Sequence, residues 1–169
     1  VREKNIDGEI TKVLGLSTQK EFREPSSRVN HSELSGYKIV RNSEFAYVPT
    51  TDTWKVFACA LNKGETIVVS PIYVVFKVQS SNLLADFLCL IFQSKEFDRY
   101  ARFNSWGSAR ENFSWEELCR VQIPLPPLKV QQSIVNLYHC IEEAKSIARE
   151  ASDRLTTLCP ALVRYAINA

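Results

Sequence analysis

Leu118-Cys-Arg-Val-Gln-Ile-Pro-Leu-Pro-Pro-Leu-Lys-Val-Gln-Gln-Ser-Ile134 is the stretch that divides this chain. Val121, Ile123 and Leu125 alternate with Arg120, Gln122 and Pro124, the two-residue period of a half-buried strand. Pro124, Pro126 and Pro127 stop a strand from continuing, because a proline has no N–H to give to a ladder. Pro127 stands just before or at the first turn of a helix, where a missing N–H costs least. The stretch therefore predicts a globular head over residues 1–127 and a helical tail over 128–169.

The tail carries a regular apolar seam. Ile134, Leu137, Ile141, Ala144, Ala148, Ala151, Leu155, Leu158, Leu162 and Tyr165 follow one another in alternating steps of three and four, a heptad pattern over more than four repeats. Such a helix reaches roughly 45–60 Å at ~1.5 Å per residue, too long to hide on a head of this size, so the pattern predicts a partner helix. Ala144, Ala148 and Ala151 keep the middle of the seam small enough for close approach. Pro160 predicts a kink or break near 156–160, since its ring crowds the carbonyl of Thr156. The bland alternative is one amphipathic helix folded back on its own head.

In the head, Glu9–Leu16, Tyr37–Val40, Val56–Leu61, Thr66–Val69 and Ile72–Val78 read as strands, the last two rich in valine and isoleucine. Asn82 is placed to cap a helix carrying Leu83, Leu84, Phe87, Leu88, Leu90 and Ile91, and Ser94 to cap another over Lys95–Phe103. The fold class is mixed α+β followed by a long helix. A polar segment, 17–35, carries Gln19, Lys20, Arg23, Arg28, Asn30 and His31, and a loop of that length in a compact domain is usually functional or disordered.

Charge does not announce a partner. The head has 16 Lys and Arg against 15 Asp and Glu, and the tail 5 against 4, so neither has the excess of a self-sufficient nucleic-acid binder. Any duplex contact rests on local clustering or on a partner that supplies the remaining phosphate neutralisation. Cys59, Cys89, Cys119, Cys140 and Cys159 lie far apart, on segments that read as apolar, and are expected as buried thiols of a reducing cytosol. His139 and Cys140 have no further ligand at metal spacing, so no metal site is expected. Neither a signal-peptide pattern nor a membrane-length apolar run occurs in this sequence, and a cytoplasmic location is expected. Val1 in place of a methionine suggests one half of a longer chain, or a trimmed one.

Catalytic constellations are absent. Pro126-Pro127 is flanked by Leu125 and Leu128 and lacks the Asn or Asp and the aromatic ring with which adenine methyltransferases hold a base. Glu143-Ala-Lys145 matches half of a nuclease motif but lies on the heptad helix with no acidic partner upstream. No phosphate-binding glycine loop and no Ser/His/Asp set can be assembled.

Several motifs, taken in order, resemble the DNA-specificity subunits of type I restriction-modification systems. They are Tyr37-Lys-Ile-Val-Arg41 with Phe45-Ala-Tyr47, Gly64 with Ser70-Pro-Ile-Tyr-Val-Val-Phe76, Trp106-Gly-Ser-Ala-Arg110 ahead of Phe113-Ser-Trp-Glu-Glu-Leu118, and the Ile123-Pro-Leu-Pro-Pro-Leu128 junction followed by Gln131-Gln-Ser-Ile134. Asn42-Ser43-Glu44 departs from the Gly-Asp pair common at that turn. The resemblance covers about 37–169 and implies one target-recognition domain plus one spacer helix, a half-subunit without chemistry or cofactor of its own. S-adenosylmethionine would sit on the modification subunit, and modification and restriction subunits would be partners along with double-stranded DNA. Whole specificity subunits pack two such helices as an antiparallel coiled coil, so two copies of this chain, or this chain and another half, would rebuild the arrangement as a dimer.

Gln19, Lys20, Arg23, Arg28, Lys55, Trp106, Ser108 and Arg110 are the candidate DNA contacts. Serine can donate to a phosphate, and arginine can bind phosphate or the edge of a guanine. The competing reading of Arg110 is a surface salt bridge to Glu111 or Glu116, and that of Trp54 is a core anchor. At the level of function, the alternative is a coiled-coil interaction scaffold whose head binds protein through Trp54, Trp106 and Trp115.

Overall fold

The computed structural model describes residues 3–25, 33–50, 56–107 and 111–167, with Thr157 and 160–167 described by their backbone alone. Two compact units emerge, Val1–Leu128 and Lys129–Ala169.

The first unit is built on β4, Glu44–Tyr47, in which all four residues are buried. β4 is the centre of a three-stranded antiparallel sheet, flanked by β5 (Cys59–Leu61) and β7 (Val74–Lys77). Its register pairs Phe45 with Leu61 and Phe76, and Tyr47 with Cys59 and Val74. Side chains alternate across a strand, and here both faces are covered. Phe45 and Tyr47 join a cluster with Phe57, Phe76, Phe92, Phe97 and Phe113, whereas Ala46 joins Val40, Ala60, Ile67, Val69 and Val75. The rings meet mostly edge-on, as at Phe45–Phe92 and Phe57–Phe113, the arrangement favoured by aromatic quadrupoles.

The Ala46 side is closed by β3 (Lys38–Val40) and β6 (Ile67–Val69), paired antiparallel. A small hairpin, β1 (Gly15–Leu16) and β2 (Phe22–Arg23), adds Leu16 to the same cluster. The aromatic side is closed by α1 (Ala85–Gln93) and α2 (Lys95–Phe103), which contribute Leu88, Cys89, Phe92, Phe97 and Ala101. α2 starts where Ser94 predicts, and the Ser94 hydroxyl accepts from the Phe97 N–H at 3.1 Å. α1 starts later than predicted. Its N-cap position is Leu84, which makes no side-chain cap bond, while Asn82 donates its N–H to Ser80 Oγ in a turn before the helix.

Three other expectations are corrected. Glu9–Leu16 is strand only at its last two residues. Val121–Leu125 is no strand: Val121 and Ile123 half-bury against the aromatic cluster, as the alternation implies, yet no ladder partner pairs with them. The period reports which side chains turn inward and says nothing of hydrogen bonding. Just upstream a short helix, α3 (Trp115–Cys119), is capped by Ser114, whose Oγ accepts from Glu117 N at 3.3 Å. Ser114-x-x-Glu117 has the spacing of a capping box, a signal that could have announced α3.

The third correction concerns the cysteines. All five are free thiols, but only Cys59 and Cys89 are buried, and Cys119, Cys140 and Cys159 are exposed. Burial pushes the thiols of Cys59 and Cys89 up from their ordinary value.

The second unit is α4, Leu128–Ile167, one helix of 40 residues, about 60 Å long at ~1.5 Å per residue. Pro160 lies inside it and does not end it. No helix among the described residues is long and apolar enough to cross a membrane.

Candidate nucleic-acid interface

The β1–β2 hairpin presents the first candidates. Ser17 N donates to Glu21 O at 2.9 Å and Lys20 N to Ser17 O at 3.0 Å, closing a tight turn with Gln19 exposed at its tip. Arg23, on β2, is exposed as well.

Lys20 is placed otherwise than expected. It has a positive φ of 63° and is 7% exposed, turned into the head instead of toward a partner. Its Nζ lies 2.7 Å from Asp98 Oδ1 and donates to the Phe92 carbonyl at 2.7 Å. That carbonyl is in the last turn of α1, where backbone acceptors lack partners within the helix and a cation is favoured. The charge of Lys20 is thus engaged inside the fold, which is at odds with a phosphate contact. Sequence reasoning could not see this, because a lysine in a polar loop reads as solvated.

Asp98 does a second thing. The same Oδ1 accepts the backbone N–H of Phe57 at 3.0 Å. Phe57 lies just ahead of β5, so one carboxylate ties α2 both to the hairpin and to the backbone that enters β5. Lys55 itself, with Trp54 and the rest of 51–55, lies outside the described residues, as do Arg28, Ser108 and Arg110.

The residues that lead into 51–55 are tied to those on either side of 108–110. Trp106 and Asn112 exchange backbone hydrogen bonds at 3.2 and 2.9 Å, closing the loop that contains Ser108 and Arg110. Gly107, at φ 145°, lets the backbone leave this pair in a conformation that a side chain would strain. Asn112 also bridges Thr50, and Phe113 N donates to Pro49 O at 2.8 Å. Segments about 60 residues apart in sequence therefore issue from one spot, held beneath by the fully buried ring of Phe113.

Trp106 is 72% exposed. Nearby in sequence, at the end of α2, Phe103 is 85% exposed and Arg102 is exposed. Neither is among the sequence candidates, since an aromatic on an amphipathic helix reads as core. Together the exposed set, Gln19, Arg23, Arg102, Phe103 and Trp106, offers hydrogen-bonding, cationic and aromatic groups, the types that contact phosphates, base edges and base faces.

On α4 the seam is open to solvent. Ile134, Leu137, Ile141, Leu155 and Leu158 are 42–63% exposed, and Ala144, Ala148 and Ala151 are exposed as well. The side chains of Leu162 and Tyr165 lie outside the described set.

No curated protein matches the chain. A family model does: that of the type I restriction modification DNA specificity domain, over residues 34–151. That span includes the sheet, α1 to α3, the Trp106–Asn112 loop and the first half of α4. With well over half of its length matched, this chain belongs to the type I restriction modification DNA specificity domain family.

Proposed function

We propose that this chain is a non-catalytic DNA-reading subunit whose head binds one half of a bipartite duplex target and whose helix pairs with a second copy, or with another half, to set the spacing to the other. Modification and restriction subunits, brought to the site by this chain, would carry the chemistry, with S-adenosylmethionine on the modification subunit. The observation that carries the reading is the family match across a head in which Pro49 and Thr50, just before 51–55, are bonded to Phe113 and Asn112, just after 108–110. Exposed Gln19, Arg23 and Trp106 support it, and Arg28, Lys55, Ser108 and Arg110 remain proposed contacts. Lys20 is left out of the contact set because its ammonium is buried.

Helix pairing is supported by the uncovered seam. Five large apolar side chains at heptad spacing leave much of their area in water, and burying such a stripe against an identical one is favourable. Antiparallel pairing of two copies would relate the heads by a twofold axis, so the target of the homodimer would be an interrupted palindrome.

The test is selection from a randomised duplex library by the full chain together with a candidate modification subunit, followed by binding across salt concentrations. Enrichment of a split motif and a log–log salt slope of several units are expected. Failure to enrich any motif would overturn the reading, and an asymmetric motif for the isolated homodimer would overturn the twofold arrangement.

A further inference from the structure

The buried Lys20–Asp98 pair is an expensive way to hold a small hairpin. Lysine is almost never fully buried unless paired, and removing two opposite charges from water is repaid only by good geometry and further hydrogen bonds. Here both conditions are met: Lys20 Nζ contacts Asp98 Oδ1 and the Phe92 carbonyl, each at 2.7 Å, and Asp98 Oδ1 also accepts from Phe57 N at 3.0 Å. The side chains are 6% and 22% exposed, so solvent screens the pair weakly. Lys20 also adopts a left-handed φ of 63°, a conformation costly for a residue with a Cβ and kept only where the surroundings over-determine it.

The geometry has a particular consequence. Lys20 is the neighbour of Gln19 at the hairpin tip, and Phe57 lies just ahead of β5. One carboxylate on α2 therefore fixes both with respect to a rigid helix. We infer that the Lys20–Asp98 pair is a positioning device for recognition, holding the hairpin tip that carries Gln19 at a fixed place against α2 so that Gln19 can read the duplex. This rests on the proposed DNA-reading function and adds the residues on which its sequence discrimination depends. Lys20 and Asp98 touch no DNA. They act through Gln19 at the hairpin tip, and their loss changes discrimination between sequences more than attraction to phosphate.

The test uses the full chain with Lys20→Met, an unbranched side chain one atom shorter and without the charge, and Asp98→Asn, which keeps the volume and the acceptor for Phe57 N. Each is measured against the duplex selected by the wild-type chain and against a scrambled duplex of equal length. The expected result is a tenfold or greater fall in the affinity ratio of selected to scrambled duplex, with scrambled affinity within about twofold and the salt slope unchanged. Amide exchange should quicken at Ser17–Glu21 while the Phe57 and β4 amides stay protected. A salt slope lower by about one for Lys20→Met would show that Lys20 contacts phosphate and would overturn the inference. So would an unchanged affinity ratio in a folded variant. If Lys20→Met fails to fold, Asp98→Asn decides; if both unfold globally, the pair belongs to general stability and the inference falls. Absence of any selected duplex for the wild type would be a failure of the DNA-reading function itself, and is distinct from these outcomes.

Discussion

The backbone N–H of Phe113 donates to the carbonyl of Pro49 at 2.8 Å, joining two segments that sequence distance would keep apart. The bond sits beside the Thr50–Asn112 bridge, and the Phe113 ring below it packs edge-on against Phe57, Phe97 and Tyr100. The residues that flank 51–55 and 108–110 thus rest on one side chain of the aromatic core.

Phe113→Ala should accordingly cost about 3–5 kcal/mol, the loss expected for a fully buried aromatic that leaves a cavity. Urea denaturation followed by circular dichroism measures it. A loss below about 1 kcal/mol would mean that the ring is not the support described.

Trp106→Ala separates surface from support. With 72% of the residue exposed, the substitution should change stability by no more than about 0.5 kcal/mol. Duplex affinity should fall by about 1–3 kcal/mol if the indole stacks on a base. Arg23→Ala should lower the salt slope by about one with little change in the preferred sequence, as a phosphate contact requires. Fluorescence anisotropy at several salt concentrations resolves both.

For the helix, Leu155→Asp places a charge in the proposed seam at a position 61% exposed in the single chain. The head should keep its fold and the assembly should sediment as a monomer. A dimer persisting in analytical ultracentrifugation would move the interface elsewhere.

Ser43 offers a gain in stability. It holds a left-handed φ of 64° in the turn between β3 and β4, a backbone conformation that glycine adopts without strain. Left-handed backbone costs an L-residue roughly 1–2 kcal/mol, partly offset by the greater unfolded-state freedom of glycine, so Ser43→Gly should stabilise by about 0.5–1 kcal/mol. The urea midpoint is the readout.

The thiols divide by burial. Cys119, Cys140 and Cys159 should react with a thiol reagent in the folded chain, and Cys59 and Cys89 only after denaturation. Burial holds the Cys59 and Cys89 thiols and the Tyr47 phenol protonated beyond their ordinary ranges. A raised acid is neutral in the fold at a pH where it ionises in the unfolded chain. Its contribution to stability is therefore whole below the ordinary thiol value of 9.0 and is lost as pH rises above it. Urea midpoints should be flat from pH 7 to the ordinary thiol value and decline beyond it, less steeply in Cys59→Ala.

Local chemistry made part of this molecule legible. Ser94 before Lys95-Glu-Phe announces the start of α2, because a hydroxyl that accepts a third-residue N–H depends only on adjacent chain. The valine-rich runs announce β6 and β7, the heptad steps announce a long helix, and the motifs from Tyr37 to Ile134 announce the family. Where the outcome depended on a remote partner, local reading failed. Glu44–Tyr47 shows no alternation of polar with apolar, since both faces of β4 are buried, and its place at the centre of a sheet follows from β5 and β7 closing on it from outside. Val121–Leu125 has the period of a strand and no neighbour to pair with.

The candidate site divides the same way. The residue types that suit a duplex could be picked from the sequence, because charge, hydroxyls and aromatic faces are properties of single side chains. Which of them face outward could not. Lys20 and Arg23 are three residues apart in one polar segment, yet a tight turn sends the first to Asp98, 78 residues on, and leaves the second in water. Only the tertiary structure decides this, since the energy of a buried charge is set by the carboxylate and the helix-end carbonyl that the fold brings to it.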